Sequence, residues 1–300
     1  MKIAVMGAGA VGCYYGAMLA LAGHAVTMIG RPGPVAAMQA KGLILHKGRA
    51  QTPAPVTATT DPAGVAGAEL VLVAVKSDDS AEAARTIAPH LAPGATVISL
   101  QNGVDNAERI GAILGRPVLS SAVYVAADSP AAGHVRHNGR GELVIGESAA
   151  SAVIAEAFTA SGVPTTVSPD VDSVLWTKLT VNCAYNALCA IAQLPYGRMI
   201  AVEGVREVME DVVAECRMVA EAAGVALPAD ILDTVMGLAA GMPTQTSSTA
   251  QDLLRGKRTE IGHLNGFVVR TAQRHGLRAP VNRSLLAAIR MLEEAGAGAA

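Results

Sequence analysis

Between Asp172 and Arg198 a single charged side chain, Lys178, stands in an otherwise apolar and uncharged run, SVLWTKLTVNCAYNALCAI over 173–191. Lys178, Asn182 and Asn186 are spaced i, i+4, i+8, which puts all three on one face of a helix within reach of one ligand. Leu179 and Leu188 fall on other faces. A lysine taken out of water costs free energy unless its charge is met, and amides meet it with hydrogen bonds that do not cancel it. The pattern suits a group that gives up a proton to a substrate. A surface lysine on an amphipathic helix, with solvated asparagines, fits this stretch equally well, so the rest of the chain must decide.

The elements that could bring ligands to such a lysine begin at the amino terminus. Lys2–Met6, KIAVM, reads as a strand, residues 13–22 as a helix, and between them lie Gly7, Ala8, Gly9, Ala10, Val11 and Gly12. This is the dinucleotide fingerprint in its proper setting: the first glycine permits a tight turn, the second lets backbone approach a pyrophosphate, the third lets helix pack on strand. A second strand, Ala25–Ile29, should end beside the adenosine ribose, where NAD-binding chains place an acid. Here it ends in Gly30 and Arg31. No carboxylate repels a 2′-phosphate and a guanidinium can clamp one, so NADP(H) is expected over NAD, against the plainer reading of a solvated arginine.

Residues 70–75, LVLVAV, form a continuous apolar strand of the kind buried on both faces of a parallel sheet, with Lys76 at its carboxyl end. The strand over 96–100 runs into Gln101, Asn102 and Gly103. Ligands of open α/β sheets bind at those ends, so Asn102 is placed to bond a nicotinamide or a substrate; Asn-Gly is equally good turn chemistry. Residues 42–60 read as a loose hairpin or loop. Further strands are expected over 118–125 and 143–145, with Gly133, Gly139 and Gly141 marking turns.

Beyond 168 strand signals all but vanish. Helices are expected around Lys178 and over 202–223, 229–240, 258–275 and 283–295, with a polar turn at 244–249 and a frayed tail at 296–300. The fold class is therefore α/β plus all-α: an N-terminal Rossmann-type doubly wound sheet over 1–168 and a C-terminal helical substrate domain over 169–300. A net charge of −2 offers nothing to a polyanion, and with 3% aromatic residues there are few rings to stack on bases, so nucleic acid is excluded. The four cysteines form no CxxC pair, which argues against a metal site and for reduced thiols in a cytoplasmic protein. The uncharged run 3–23 has the length of a signal or a membrane span, but its five spaced glycines and the strand-like sequence after it argue against both.

Together, GAGAVG after the first strand, QNG after a later one, K-L-x-x-N-x-x-x-N on a helix, and a late S-S-x-x-Q-D…T-E-I-x-x-L-N-G resemble the ketopantoate reductase (2-dehydropantoate 2-reductase) family over nearly the whole chain. The resemblance implies NADPH-dependent reduction of a small 2-keto acid, ketopantoate, to its 2-hydroxy acid in pantothenate biosynthesis. It implies that Gly7 to Gly12 and Arg31 bind the cofactor, that Lys76 and Asn102 line the nicotinamide side, and that Lys178 is the general acid. It implies that Asn182, Asn186 and Ser248 hold the keto acid, and that Glu260 lies near lysine and cofactor. A homodimer is among the assemblies open to such a chain. Ala187, Cys189, Tyr196, Gln245 and Gly262 depart from the family pattern. They leave the reaction type in place and keep open a reductase of another branched 2-keto acid, while the fingerprint alone would also allow a non-catalytic NADP-binding sensor.

Overall fold

The computed structural model describes residues 1–297; residues 298–300 of the tail expected from the sequence lie outside the described residues. The chain forms two compact units, one of Met1–Gln101 and Asp105–Val171, the other of Asn102–Val104 and Asp172–Ala300.

The first unit opens with β1 (Lys2–Met6), α1 (Ala10–Leu21), β2 (Ala25–Ile29) and α2 (Pro32–Lys41). It continues with β3 (Leu43–Lys47), β4 (Ala50–Ala54), β5 (Val56–Thr59), β6 (Leu70–Val73), α3 (Ser80–Ile87), β7 (Thr96–Ser99) and α4 (Asn106–Leu114), and ends in β8 (Ser121–Asp128), β9 (His134–Gly146), α5 (Ser151–Ala160) and β10 (Thr165–Ser168). Five strands build a wholly parallel sheet in the order β5-β2-β1-β6-β7. Alternation fills both faces: Ile3, Val5, Leu70 and Leu72 pack on one side with α1, while Ala4, Val71 and Val73 pack on the other. β1 lies between β2 and β6, so the strand order reverses beside it, and the carboxyl ends of β1 and β6 flank the switch point where such sheets bind ligands.

Three features go beyond the sequence expectation. Residues 32–41, to which the sequence reading assigns no element, are helical from Pro32, because a proline at the first helical position forfeits an N–H that has no partner there anyway. The 42–60 segment, expected as a loose hairpin or loop, is a hairpin, β3 with β4, followed by β5 at the edge of the parallel sheet. β8 and β9 do not extend that sheet. They form a second one, in which the thirteen-residue β9 pairs with β8 antiparallel and with β3 and β10 parallel. Gly133 precedes β9, but Gly139 and Gly141 lie inside it, beside register shifts against β8 that let the long strand bend.

The second unit is helical: α6 (Val171–Ala192), α7 (Tyr196–Met199), α8 (Val205–Ala222), α9 (Ile231–Gly241), α10 (Ser248–Leu254), α11 (Asn265–Arg274) and α12 (Pro280–Ala297). α6 carries apolar side chains around most of its circumference, with Leu175, Trp176, Leu179, Cys183 and Ala184 all buried, as a central helix must. Trp176 packs edge-on against Phe267 of α11. The expected helix over 258–275 is a short 3-10 turn, Ile261–His263, and then α11, with the break at Leu264, whose backbone is not helical. The tail read as frayed from 296 is still helical through Ala297. Among the described residues no helix is long and apolar enough to cross a membrane.

Candidate active site

In the first unit the fingerprint loop leaves β1 and enters α1. Gly7 has φ +120°, and a Cβ there would lie 2.6 Å from the backbone of Ala74 and Val75 at the end of β6. A Cβ on Gly12 would run into the Gly7 carbonyl oxygen. Both positions are thus closed to any other residue by the protein's own packing. Gly9 is different. A Cβ there meets nothing within 4 Å, so the fold itself does not demand glycine. Gly9 is also the N-cap of α1, with extended backbone, no side-chain cap and no acid in the first turn. An uncapped helix N-terminus beside open space fits a pyrophosphate, and these residues accordingly suit a nicotinamide dinucleotide.

Arg31 caps the N-terminus of α2 and is exposed. The residue before it, Gly30, approaches the loop so closely that a Cβ would lie 2.6 Å from the Ala8 Cβ. That approach sets Arg31 beside the fingerprint. Lys76 is exposed just past β6, on the segment that Gly7 packs against. Beneath these positions the structure reveals a polar cluster that the sequence reading missed: Ser77, Ser80, Ser99, Gln101 and Asn106 are all buried. Hydroxyl and amide residues at the carboxyl ends of β6 and β7 were its only trace in the sequence.

In the second unit Lys178 is half-buried on α6, and its Nζ donates to Oδ1 of Asn102 at 2.8 Å. Nδ2 of Asn102 in turn donates to Oε2 of Glu260, at 3.5 Å. The amide therefore stands between an ammonium and a carboxylate, and only one orientation is favourable, since a flipped amide would set NH₂ against NH₃⁺ and oxygen against oxygen. An acceptor for the ammonium favours its protonated form. The structure thus brings together Lys178, Asn102 and Glu260, from three separate stretches of sequence.

Asn182 and Asn186 continue along the Lys178 face of α6, the first half-buried and the second buried. Ser248 is the exposed first residue of α10, whose start is docked on the end of α6 by its neighbour: Ser247 Oγ donates to the Asn186 carbonyl at 3.2 Å, and Ser247 N donates to Cys189 Sγ at 3.2 Å. The same Ser247 Oγ accepts from Ala250 N, which makes it the α10 cap. Of the departures from the family pattern, Ala187, Cys189 and Tyr196 are buried. They change packing inside the helical unit. All four cysteines are buried free thiols; burial pushes Cys13 up to about 12 and raises Cys183 as well. No group of three or more potential metal ligands occurs among the described residues.

A Rossmann-type dinucleotide fold with an all-helical unit carrying a held lysine defines a class of two-unit nucleotide-dependent oxidoreductases. Comparison with known proteins narrows this to one family. The profile described as ketopantoate reductase PanE/ApbA matches residues 3–150, and its C-terminal counterpart matches residues 170–293. The 2-dehydropantoate 2-reductase of Halobacterium salinarum is 35% identical, covering 99% of this chain and 100% of that one. The enzyme of the same name from Archaeoglobus fulgidus is 32% identical over 97% of this chain and 98% of its own. Among solved structures, a PanE/ApbA family ketopantoate reductase from Ralstonia eutropha JMP134 superposes with a TM-score of 0.95 at 52% identity, covering 99% of each chain. The chain belongs to the ketopantoate reductase family of oxidoreductases.

Proposed function

We propose that this protein reduces 2-dehydropantoate to pantoate with NADPH. The observation that carries the reading is the Lys178 ammonium held on Asn102, within a chain of this family. The cofactor, when bound, supplies the hydride to C2 of the keto acid. The chain's own residues do the rest. Gly7, Ala8, Gly9, Ala10, Val11 and Gly12 bind the pyrophosphate and Arg31 the 2′-phosphate, which favours NADPH over NADH. The family resemblance also gives Lys76, Asn102 and Glu260 to the cofactor. Lys178 donates a hydrogen bond to the substrate carbonyl and then gives its proton to the developing alkoxide. Asn102, Asn182 and Asn186 orient the keto acid, and Ser248 binds its carboxylate.

On this reading residues 1–168 form the NADP-binding domain and residues 169–300 the helical catalytic domain. A cytoplasmic location belongs to the same reading and is supported by four unpaired thiols. The deciding experiment follows NADPH oxidation with ketopantoate beside 2-ketoisovalerate and pyruvate. Ketopantoate should give the highest kcat/KM; a preference for either other acid assigns the chain to a different 2-keto acid.

A further inference from the structure

We infer that Gln101 is a positioning residue for this reaction: its buried side-chain amide fixes the backbone on which both Lys76 and Asn102 stand. The inference rests on the proposed function and adds to it a residue that touches neither cofactor nor substrate. Gln101 is 5% exposed. Its Nε2 donates to the Val75 carbonyl at 2.9 Å and to Ser80 Oγ at 2.7 Å, while its Oε1 accepts from Ser99 Oγ at 2.9 Å. The backbone ladder between β6 and β7 runs out at Leu100 N to Val73 O. Beyond that point the Gln101 amide takes over, tying the end of one strand to the carbonyl directly before Lys76. On the other side of Lys76, Ser77 Oγ accepts from Asn106 Nδ2 at 3.1 Å, and Asn106 Oδ1 accepts from Ser80 Oγ at 3.2 Å, which returns the network to Gln101. Lys76 is therefore bracketed by the held carbonyl of Val75 and the held hydroxyl of Ser77, and Asn102 is the next residue after Gln101.

Stability alone does not call for this arrangement, since an apolar side chain in place of a fully paired buried amide, with its partners replaced to match, is nearly neutral. A satisfied polar network does what apolar packing does poorly: it fixes one geometry. A reaction that depends on the placement of an amide and an ammonium uses that property.

The test compares Gln101→Leu with Ser121→Ala. Ser121 Oγ donates to the Ser99 carbonyl at 2.6 Å and is buried, so its loss perturbs the same region without touching the amide. Gln101→Leu should lower kcat for ketopantoate by roughly tenfold or more without a matching rise in KM, as expected of misplaced reacting groups. It should also weaken the Asn102 acceptor that favours the charged form of Lys178. Glu260 carries a charge at that pair, accepting from Asn102 Nδ2. With the acceptor displaced the ammonium loses its proton more readily, so the alkaline limb of the kcat profile moves to lower pH. The Lys178 titration, followed by NMR of ¹³C-labelled lysine in the ligand-free protein, should move the same way. Ser121→Ala should lower the melting temperature and leave limb and titration in place.

Unchanged kcat and titration in Gln101→Leu would overturn the inference. So would a kcat loss equal to that of Ser121→Ala with the limb unmoved, which would make Gln101 a stabilising residue only. If Gln101→Leu does not fold, Gln101→Met, which keeps the stem length and lacks both polar atoms, carries the same comparison. If the wild-type protein leaves ketopantoate unreduced, the proposed function fails while the ligand-free titration still decides for or against Gln101.

Discussion

Lys178 and Asn102 are 76 positions apart in sequence, yet Nζ of the one donates to Oδ1 of the other at 2.8 Å. This pairing gives the ammonium an acceptor that is uncharged. A carboxylate in the same place would hold the proton more tightly, whereas an amide orients the group and leaves it able to donate.

A positioned general acid contributes roughly 10²- to 10⁴-fold to rate, so Lys178→Ala should lose at least about a hundredfold in kcat while still binding NADPH. Lys178→Arg keeps the charge but cannot release a proton near neutral pH, and it should not restore activity. Because the protonated form is the active one, wild-type kcat should fall as pH rises through the lysine's pKa. Fluorescence titration of NADPH alongside steady-state kinetics checks all of this. A folded Lys178→Ala enzyme with more than about a tenth of wild-type kcat would remove the acid role.

Arg31 stands at the N-terminus of α2, next to the Gly30 that packs on Ala8. A guanidinium on a phosphate contributes about 1.5–3 kcal/mol, so Arg31→Ala should weaken NADPH by roughly ten- to a hundredfold and leave NADH nearly unchanged. Dissociation constants for both cofactors decide. Equal losses would place the arginine away from the 2′-phosphate.

Ser247 and Ser248 are neighbours with different surroundings, one buried and capping α10, the other exposed. Ser247→Ala should lower stability by about 1 kcal/mol, the usual cost of losing a cap, seen as a lower melting temperature. Ser248→Ala should leave melting unchanged and raise KM for the keto acid. If Ser248→Ala instead raises the dissociation constant of NADPH, the residue belongs to the cofactor site.

Local chemistry was the part of this molecule that could be read from sequence. The fingerprint is legible because strand, glycine turn and helix follow one another in the chain, even though Gly7 packs against the distant Ala74 and Val75, and the face shared by Lys178, Asn182 and Asn186 follows from helical period alone. What escaped is non-local. β9 finds β3 through pairs such as Ile44 with His134, and no local pattern announces a partner so far away. Asn102 and Glu260 meet across 158 positions, a proximity that the family resemblance implied and no local pattern shows. Gln101 looked like part of a turn because a turn follows it; only the strand ends that its side chain joins reveal more.

Glu215 of α8, 9% exposed, offers a last test, of the helical unit's framework. α12 starts at Pro280, whose missing N–H needs no partner, but the next N–H groups have none within the helix. Glu215 meets them: Oε1 accepts from Val281 N at 2.8 Å, and Oε2 accepts from Asn282 N at 2.9 Å and Asn282 Nδ2 at 2.8 Å. A carboxylate also suits the positive end of the helix dipole. Asn282 Oδ1 then accepts from Asn265 Nδ2 at 2.9 Å, and the same nitrogen donates to the Cys183 carbonyl at 3.2 Å, so one chain of bonds joins α8, α12, α11 and α6. Glu215→Ala strands two backbone donors and an amide, and should destabilise the protein by about 3 kcal/mol or more in urea unfolding. Glu215→Gln keeps one acceptor and turns an NH₂ toward another donor, so its cost should be smaller but still measurable. NADPH affinity should be little altered in both, because Glu215 bonds α12 and not Asn102 or Glu260, and the fingerprint belongs to the other unit. A loss below about 1 kcal/mol for Glu215→Ala would mean that water replaces the carboxylate and that the α12 cap does little to hold the helices together.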